Sequence, residues 1–171
     1  LWTNRPIWPQ ALERPLEDYY TPSWIDWDLW LGPAPARPYH PAYAPFKWRG
    51  WWDFGTGALG DIACHSMDTS FWALDLGYPT RIEPESTKLL SETAPACSRI
   101  TYSFAAKENR PEIKVVWRDG SLYPPRPKDV TDPLAWPFDT SGQMWIGDAG
   151  KLGAGIYGEN PRLLDAARQA E

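Results

Sequence analysis

The fold follows from residues 55–79, which read GTGALGDIACHSMDTSFWALDLGYP. Apolar residues recur in this stretch at spacings of three and four, the pattern of a helix with one buried face. We predict a helix from about Gly57 to Leu76, because Gly77 with Pro79 just beyond is a strong helix stop. One side of this helix should pack on a sheet, and it collects Leu59, Ile62, Ala63, Met67, Ser70, Phe71, Ala73 and Leu74.

The opposite side of the predicted helix carries Asp61, His65, Asp68 and Trp72, at spacings of four, three and four. Side chains three or four apart on a helix are neighbours, so we expect His65 to lie within reach of both carboxylates. Two negative charges favour the imidazolium and raise the pKa of a histidine, which suits a group that exchanges a proton with a substrate hydroxyl. A solvated surface helix shows the same pattern, although the large ring of Trp72 indicates a cover on that side.

A metal site is a third interpretation of Asp61 and His65, since both side chains can ligate a metal from adjacent helical turns. Such a site needs further ligands, and the sequence offers only distant ones such as His40 and Asp53. We therefore expect no metal in this chain.

Residues 55–60 match the dinucleotide-binding pattern G-x-G-x-x-G and run into the predicted helix. Glu83 even lies at a suitable distance for a ribose contact. The context argues against that interpretation, because residues 47–54 are not the apolar strand that the pattern follows. Asp61 also places a carboxylate where a pyrophosphate needs positive potential. We expect the glycines to serve a sharp turn, and no cofactor to bind there.

The chain beyond the helix is typical of a sheet. Five runs are predicted to be strands, at residues 80–90, 97–104, 112–118, 143–146 and 152–157. Asp119-Gly120 predicts a turn after the third run, and residues 124–139 form a proline-rich connection. Strands in succession after one main helix predict an α+β fold, with an open, mostly antiparallel sheet covered on one face by helices. The length of 171 residues suits a single domain over residues 1–171.

The first 54 residues have a different composition, rich in Trp, Pro, Tyr and Arg. The chain has 12 tryptophans and 19 prolines and is 15% aromatic, which indicates ordered loops pinned by rings rather than disorder. A short helix is predicted within residues 21–30, capped by Ser23 and ended at Gly32.

Charge and cysteine content limit the partners of the chain. The formal net charge is -5 and the pI is near 5.1, which argues against a nucleic-acid partner. No apolar run approaches the roughly 20 residues of a membrane span, and no signal leader is visible. Cys64 and Cys97 give no disulfide framework, although one bridge between them stays open. Because the first residue is Leu1, we expect a piece of a longer protein, with the cytoplasm favoured but not assigned.

Residues 51–68 combine a glycine cluster, the spacing Asp-x-x-x-His from Asp61 to His65, and Asp68 three residues later. In this combination the chain resembles the Gfo/Idh/MocA oxidoreductases. Three further stretches are similar to one bacterial branch of that family, at residues 2–10, 27–35 and 39–43. The resemblance extends to about Leu164, with one departure inside the motif, where Ala63 replaces the usual glycine.

The resemblance implies a two-domain enzyme. Family members join an N-terminal Rossmann domain, which binds NAD or NADP, to a C-terminal α/β domain with a large open sheet. This chain is similar to the second domain only, starting inside its first strand. By resemblance, His65 exchanges the proton at the substrate carbon, and Asp61 positions the substrate or the imidazole. The family's catalytic lysine belongs to a Glu-Lys-Pro motif of the Rossmann domain, so we expect the isolated chain to be inactive.

The segment rich in Trp and Pro within residues 1–54, which we call the aromatic loop, adds candidate contacts, because flat rings cover the C–H faces of sugars while polar side chains bond hydroxyls. The predicted substrate-binding residues are Arg37, His40, Tyr43, Arg49, Trp52 and Asp68. The rings and prolines of that loop also suit a purely structural role, pinning it to the sheet.

We expect the substrate domain of an NAD(P)-dependent sugar or polyol oxidoreductase. The alternative is a non-catalytic module that binds carbohydrate or a protein partner. We also expect copies to associate through the open sheet face, since exposed apolar sheet surface requires cover.

Overall fold

The computed structural model of the chain describes residues 1–130 and 140–164, so residues 131–139 of the predicted proline-rich connection lie outside it. The elements follow in the order β1 (Trp2–Thr3), α1 (Trp27–Leu31), a 3-10 helix (Lys47–Gly50), α2 (Gly57–Leu74), β2 (Arg81–Ser86), β3 (Ser98–Phe104), β4 (Ile113–Arg118), β5 (Ser141–Gly147), β6 (Gly150–Ala154) and β7 (Arg162–Leu163). Each strand pairing in this part of the chain is antiparallel, which confirms the predicted α+β class.

Helix α2 starts at Gly57, as predicted, and ends at Leu74, two residues earlier than predicted. Asp75 takes the left-handed conformation, with φ 46°, and its N–H donates to the carbonyl of Phe71. This residue closes the helix before the predicted stop at Gly77 is reached. Gly77 is itself left-handed, with φ 71°, so the chain turns twice before it enters β2.

The N-terminus of α2 is capped by a residue that is distant in sequence. Thr56, at the N-cap position, makes no side-chain hydrogen bond to the helix. Gln10 replaces it, because its Oε1 accepts from the backbone N–H of Ala58 at 2.9 Å and from the indole Nε1 of Trp8 at 3.0 Å. The Nε2 of Gln10 donates to the carbonyl of Pro95 at 2.6 Å. We call this arrangement the Gln10 clamp, and it fixes where the helix begins.

The strands form two sheets, with orders β2-β3-β4 and β1-β5-β6-β7, where the sequence predicts one. Leu1 joins the two sheets. Its amino nitrogen donates to the carbonyl of Val116 at 3.1 Å, and its carbonyl accepts from the N–H of Arg118 at 3.1 Å. The next residues, in β1, pair with β5. Backbone hydrogen bonds therefore run from β2 across to β7, although the link at Leu1 is too short to count as a strand pairing.

Helix α2 lies on one face of the β2-β3-β4 sheet and also touches the other sheet. Ile62 packs on Ile100 of β3 and on Trp117 of β4, whose exposed fraction is 0%. From β5, the indole Nε1 of Trp145 donates to Ser70 Oγ at 3.1 Å. This packing turns the polar side of the helix outward, as the sequence pattern predicts.

The other face of the β2-β3-β4 sheet is charged rather than apolar. The register assigns to it Arg81, Glu83, Glu85, Arg99, Thr101, Ser103, Lys114, Val116 and Arg118. Most of these side chains are exposed, and ion pairs link Arg99 to Glu85 and Arg81 to Glu83. The expectation of an exposed apolar sheet face is therefore wrong, because charged residues occupy the alternate positions that turn away from the helix.

Two strands end several residues before their predicted ends. Strand β2 ends at Ser86 rather than Leu90, and β6 ends at Ala154, so Tyr157 lies in a turn instead of a strand. Strand β7 was not predicted, since two residues carry no measurable alternation.

The structure confirms the predicted end of the short helix α1 but not its predicted cap. Gly32, with φ 55°, ends the helix as predicted. The cap is Asp26 rather than Ser23, because Asp26 Oδ1 accepts from the N–H of Leu29 at 3.1 Å.

Cys64 and Cys97 are both free thiols, so the bridge that the sequence left open does not form. Neither α1 nor α2 is long and apolar enough to cross a membrane, among the residues that the structure describes.

Candidate functional site

Helix α2 presents Asp61, His65 and Asp68 on its outer side, as the spacing predicts. His65 and Asp68 are exposed, and Asp61 is half-buried. Among residues 1–130 and 140–164, no ion pair within 4 Å joins His65 to either carboxylate, so the expectation that both carboxylates lie within reach of His65 stays a prediction. The size of the Trp72 ring predicted that another segment covers this side of the helix. The ring is 88% exposed, so no such segment lies within the part of the chain that the structure describes.

Asp61 is paired with Arg49 of the 3-10 helix instead. The Nε of Arg49 donates to Asp61 Oδ1 at 3.2 Å, and both side chains are partly exposed. The guanidinium lies 4.5 Å from the ring centre of Trp48 and 4.6 Å from that of Phe46, and it donates to the carbonyl of Phe46. Asp61 thus has a permanent cation as its ion-pair partner. The structure thus brings the predicted substrate contact Arg49 to the predicted catalytic residue Asp61.

Tyr157 is the aromatic neighbour of His65, and it is not among the site residues that the sequence predicts. The two ring centres are 5.9 Å apart and the planes meet at 78°. No local pattern predicts a contact between residues so distant in sequence. The available signal is the pair Gly155 and Gly158 around the tyrosine, which is typical of a turn.

Arg37 is buried inside the aromatic loop, with 3% of its side chain exposed. Its guanidinium pairs with Asp53 and, at 3.4 Å, with Glu92. It also lies 5.3 Å from the ring centre of Tyr43 and 5.1 Å from that of Phe54. Tyr43 is likewise buried. These two predicted substrate contacts form the interior of the loop.

His40 belongs to the same aromatic loop and not to the surface around His65. Its Nδ1 accepts from the N–H of Ala42 at 3.0 Å, and its Nε2 lies 3.8 Å from a carboxylate oxygen of Glu17. The ring of Tyr19 meets it edge-on at 4.7 Å. No hydrogen bond, ion pair or ring contact between described residues connects His40 with His65.

Trp52 and Asp68 are the predicted contacts that stay open. Trp52 is 45% exposed, and its backbone N–H is fixed by the carbonyl of Glu92 at 2.8 Å. Asp68 lies at the rim of an open groove between α2 and β3, lined by Leu59, Ala63, Cys64, Met67, Asp68, Phe71 and Tyr102. Burial raises the pKa of Tyr102, so its hydroxyl stays protonated and can donate a hydrogen bond at neutral pH.

The glycine turn before α2 does not fit a dinucleotide. A Cβ on Gly57 would lie 2.5 Å from the Cβ of Ala94, and one on Gly55 would lie 2.6 Å from the carbonyl oxygen of Arg49. Both glycines are therefore required by close packing within the chain, which explains them without a nucleotide. The Gln10 clamp also occupies an N–H at the helix start, which a phosphate would otherwise bind.

No group of three or more His, Cys, Asp or Glu side chains stands together as a metal site in the described part of the chain. In particular, Asp53 pairs with Arg37, and His40 lies in the aromatic loop. The ligands that a metal on Asp61 and His65 would require are thus engaged elsewhere.

Comparison with known proteins bears directly on this surface. A family model described as "Oxidoreductase family, C-terminal alpha/beta domain" matches residues 7–109, which include α1, α2, β2, β3 and the candidate residues from Arg37 to Asp68. No curated protein matches the chain. Because the model covers more than half of the sequence, the chain belongs to the Gfo/Idh/MocA oxidoreductase family, as its C-terminal α/β domain.

Proposed function

We propose that this chain is the substrate-binding domain, with the catalytic histidine, of an NAD(P)-dependent sugar or polyol oxidoreductase. The observation that carries the proposal is the arrangement on α2, where Arg49 holds Asp61 and leaves His65 exposed one turn further along the same helix face. Membership of an oxidoreductase family supports the reaction class.

His65 has the proton role in this proposal. Oxidation of a carbinol carbon removes a hydride from carbon and a proton from the attached oxygen. The nicotinamide cofactor, bound mainly by a separate Rossmann domain, supplies the hydride chemistry. The imidazole of His65 accepts the hydroxyl proton, and in the reverse direction it returns the proton to the carbonyl oxygen.

The neighbouring side chains have positioning roles. Asp61 accepts a hydrogen bond from a substrate hydroxyl while Arg49 fixes its orientation. Asp68 and Trp52 are exposed and bind the substrate, the first through hydroxyls and the second through its ring face. For the buried Arg37 and Tyr43 and the half-buried His40 we propose a contribution from inside the loop, which gives that wall its shape.

We also propose that the isolated chain is inactive and that copies associate through the charged face of the β2-β3-β4 sheet. In each copy Arg99 already pairs with Glu85 and Arg81 with Glu83, and a two-fold axis across this face would place these ion pairs of the two copies against one another. Light scattering at low and high salt tests the association, because such contacts weaken with ionic strength. A monomer at low salt and high protein concentration contradicts it.

The test of function uses this chain joined to its own Rossmann domain. His65→Asn should lower kcat by about a hundredfold to ten-thousandfold, because general acid–base catalysis contributes that much, while the Kd for NAD or NADP stays the same. Cys97→Ser, at the other free thiol and away from α2, is the matched control and should keep normal turnover. Equal losses in cofactor binding and turnover for His65→Asn would refute the proton role. Sugar binding without any cofactor-dependent turnover would favour the alternative, a non-catalytic carbohydrate-binding module.

A further inference from the structure

The turn after β6 brings one aromatic residue to the candidate site. Tyr157 is 55% exposed, and its ring meets that of His65 at 78°, with 5.9 Å between the centres. The contact joins α2 to a segment beyond residues 7–109, to which the family model extends. Of the described residues, Tyr157 makes the one aromatic ring contact to His65.

The turn that carries Tyr157 is held by its own hydrogen bonds. Glu159 makes two of them: its carbonyl accepts from the N–H of Gly155 at 2.9 Å, and its Oε2 accepts from the N–H of Tyr157 at 2.9 Å. The N–H of Gly158 closes the turn on the carbonyl of Gly155 at 2.9 Å. These bonds fix the backbone on both sides of the tyrosine, so its side chain leaves the turn in a defined direction.

The same turn is anchored to the core and to α2. Gln143 of β5 is wholly buried, and its Nε2 donates to the carbonyl of Ile156 at 2.8 Å. Gly158 is left-handed, with φ 82°, and a Cβ there would lie 2.7 Å from Thr69 Oγ1. Thr69 is four residues after His65 and therefore on the same side of the helix. The chain reversal that carries Tyr157 thus lies against α2, about one helical turn C-terminal to His65.

We propose that Tyr157 is a further substrate-binding residue of the His65 site, which presents its phenolic hydroxyl to a second hydroxyl of the sugar or polyol. This inference rests on the proposed function. The phenol is a hydrogen-bond donor and acceptor, and its edge-on contact with the imidazole keeps the two groups side by side. A polyol that offers one hydroxyl to His65 then offers the neighbouring one to Tyr157. The predicted preference is for substrates with adjacent hydroxyls over their deoxy analogues.

The experiment measures turnover of the two-domain protein with NAD and NADP on myo-inositol, D-glucose and D-xylose. Tyr157→Phe keeps the ring and removes the hydroxyl, so KM should rise about tenfold with little change in kcat. Tyr157→Leu also removes the ring contact, and kcat should fall as well. Tyr123→Phe, at a partly exposed tyrosine outside the site, is the matched control and should change neither constant.

A second readout needs no substrate. The ring ¹H and ¹³C resonances of His65 should shift in Tyr157→Leu, which removes the neighbouring ring, and should stay close to wild type in Tyr157→Phe. Unchanged resonances in Tyr157→Leu, or an unchanged KM in Tyr157→Phe, overturn the role of Tyr157 and leave the proposed function intact. A wild-type protein that turns over none of the three substrates (myo-inositol, D-glucose and D-xylose) with either cofactor overturns both proposals together.

Discussion

The Gln10 clamp makes the start of α2 depend on a residue that is far from the helix in sequence. Replacing Gln10 with alanine removes the acceptor for the N–H of Ala58 and the indole of Trp8, and also the donor to the carbonyl of Pro95. Thr56→Ala is the matched comparison, since Thr56 stands at the N-cap position, is exposed and makes no capping hydrogen bond.

The expected magnitudes differ clearly between these two variants. Each of the three lost hydrogen bonds contributes about 1 kcal/mol, so Gln10→Ala should lower the free energy of unfolding by about 3 kcal/mol. Thr56→Ala should stay within about 0.5 kcal/mol of wild type, although an N-cap threonine that bonds its helix is worth about 1 kcal/mol.

Urea unfolding of the chain, followed by tryptophan fluorescence and by circular dichroism, measures both changes. Hydrogen exchange at the amide of Ala58 provides a local readout, because only Gln10→Ala exposes that N–H to water. A loss in Thr56→Ala as large as that in Gln10→Ala would refute the reasoning, since the helix would then be capped locally and not by the clamp.

Two further predictions concern buried charges. Arg37→Met should cost about 2 kcal/mol of unfolding free energy in urea titrations, because it leaves the carboxylate of Asp53 without its cation, whereas Glu92 keeps its ion pair with Arg14; a variant of normal stability with weakened sugar binding would instead make Arg37 a substrate contact. Asp119 accepts hydrogen bonds from Ser98 and Trp117, yet burial raises its pKa above the ordinary 3.8. The stability that Asp119 contributes is therefore fully present below pH 3.8 and declines as pH rises through its folded-state pKa. The deficit of Asp119→Asn relative to wild type should accordingly shrink between pH 4 and pH 7 in urea titrations, and a deficit that grows with pH contradicts the raised pKa.

Much of the fold follows from local patterns in the sequence. The spacing of apolar residues after Gly57 predicts α2, and its exposed side carries Asp61 and His65 as the wheel requires. Strands β3 and β4 and the chain reversal at Asp119-Gly120 follow from alternation and turn chemistry in the same way. These features depend on interactions between residues close in sequence, so one sequence suffices to predict them.

The contacts that give the candidate site its geometry are long-range. Arg49 reaches Asp61 from a 3-10 helix in the aromatic loop, and Tyr157 reaches His65 from the far end of the chain. The guanidinium of Arg37 can donate hydrogen bonds to sugar hydroxyls, yet the structure buries it beside the carboxylates of Asp53 and Glu92. A side chain's type indicates which partners it can take, whereas the tertiary packing decides which of those partners it meets.

The position of β1 has a consequence for the order in which the chain acquires its structure. Thr3 pairs with Ser141 of β5, 138 residues later, and their hydroxyls lie 3.1 Å apart. At a synthesis rate of about 5 to 20 residues per second, β1 leaves the ribosome roughly 7 to 30 s before its partner strand. Trp2, whose neighbours in the buried core are Val130, Met144 and Leu164, stays uncovered for that interval. The domain therefore closes only after translation has passed β5, and Trp2 is a natural target for chaperones in the meantime.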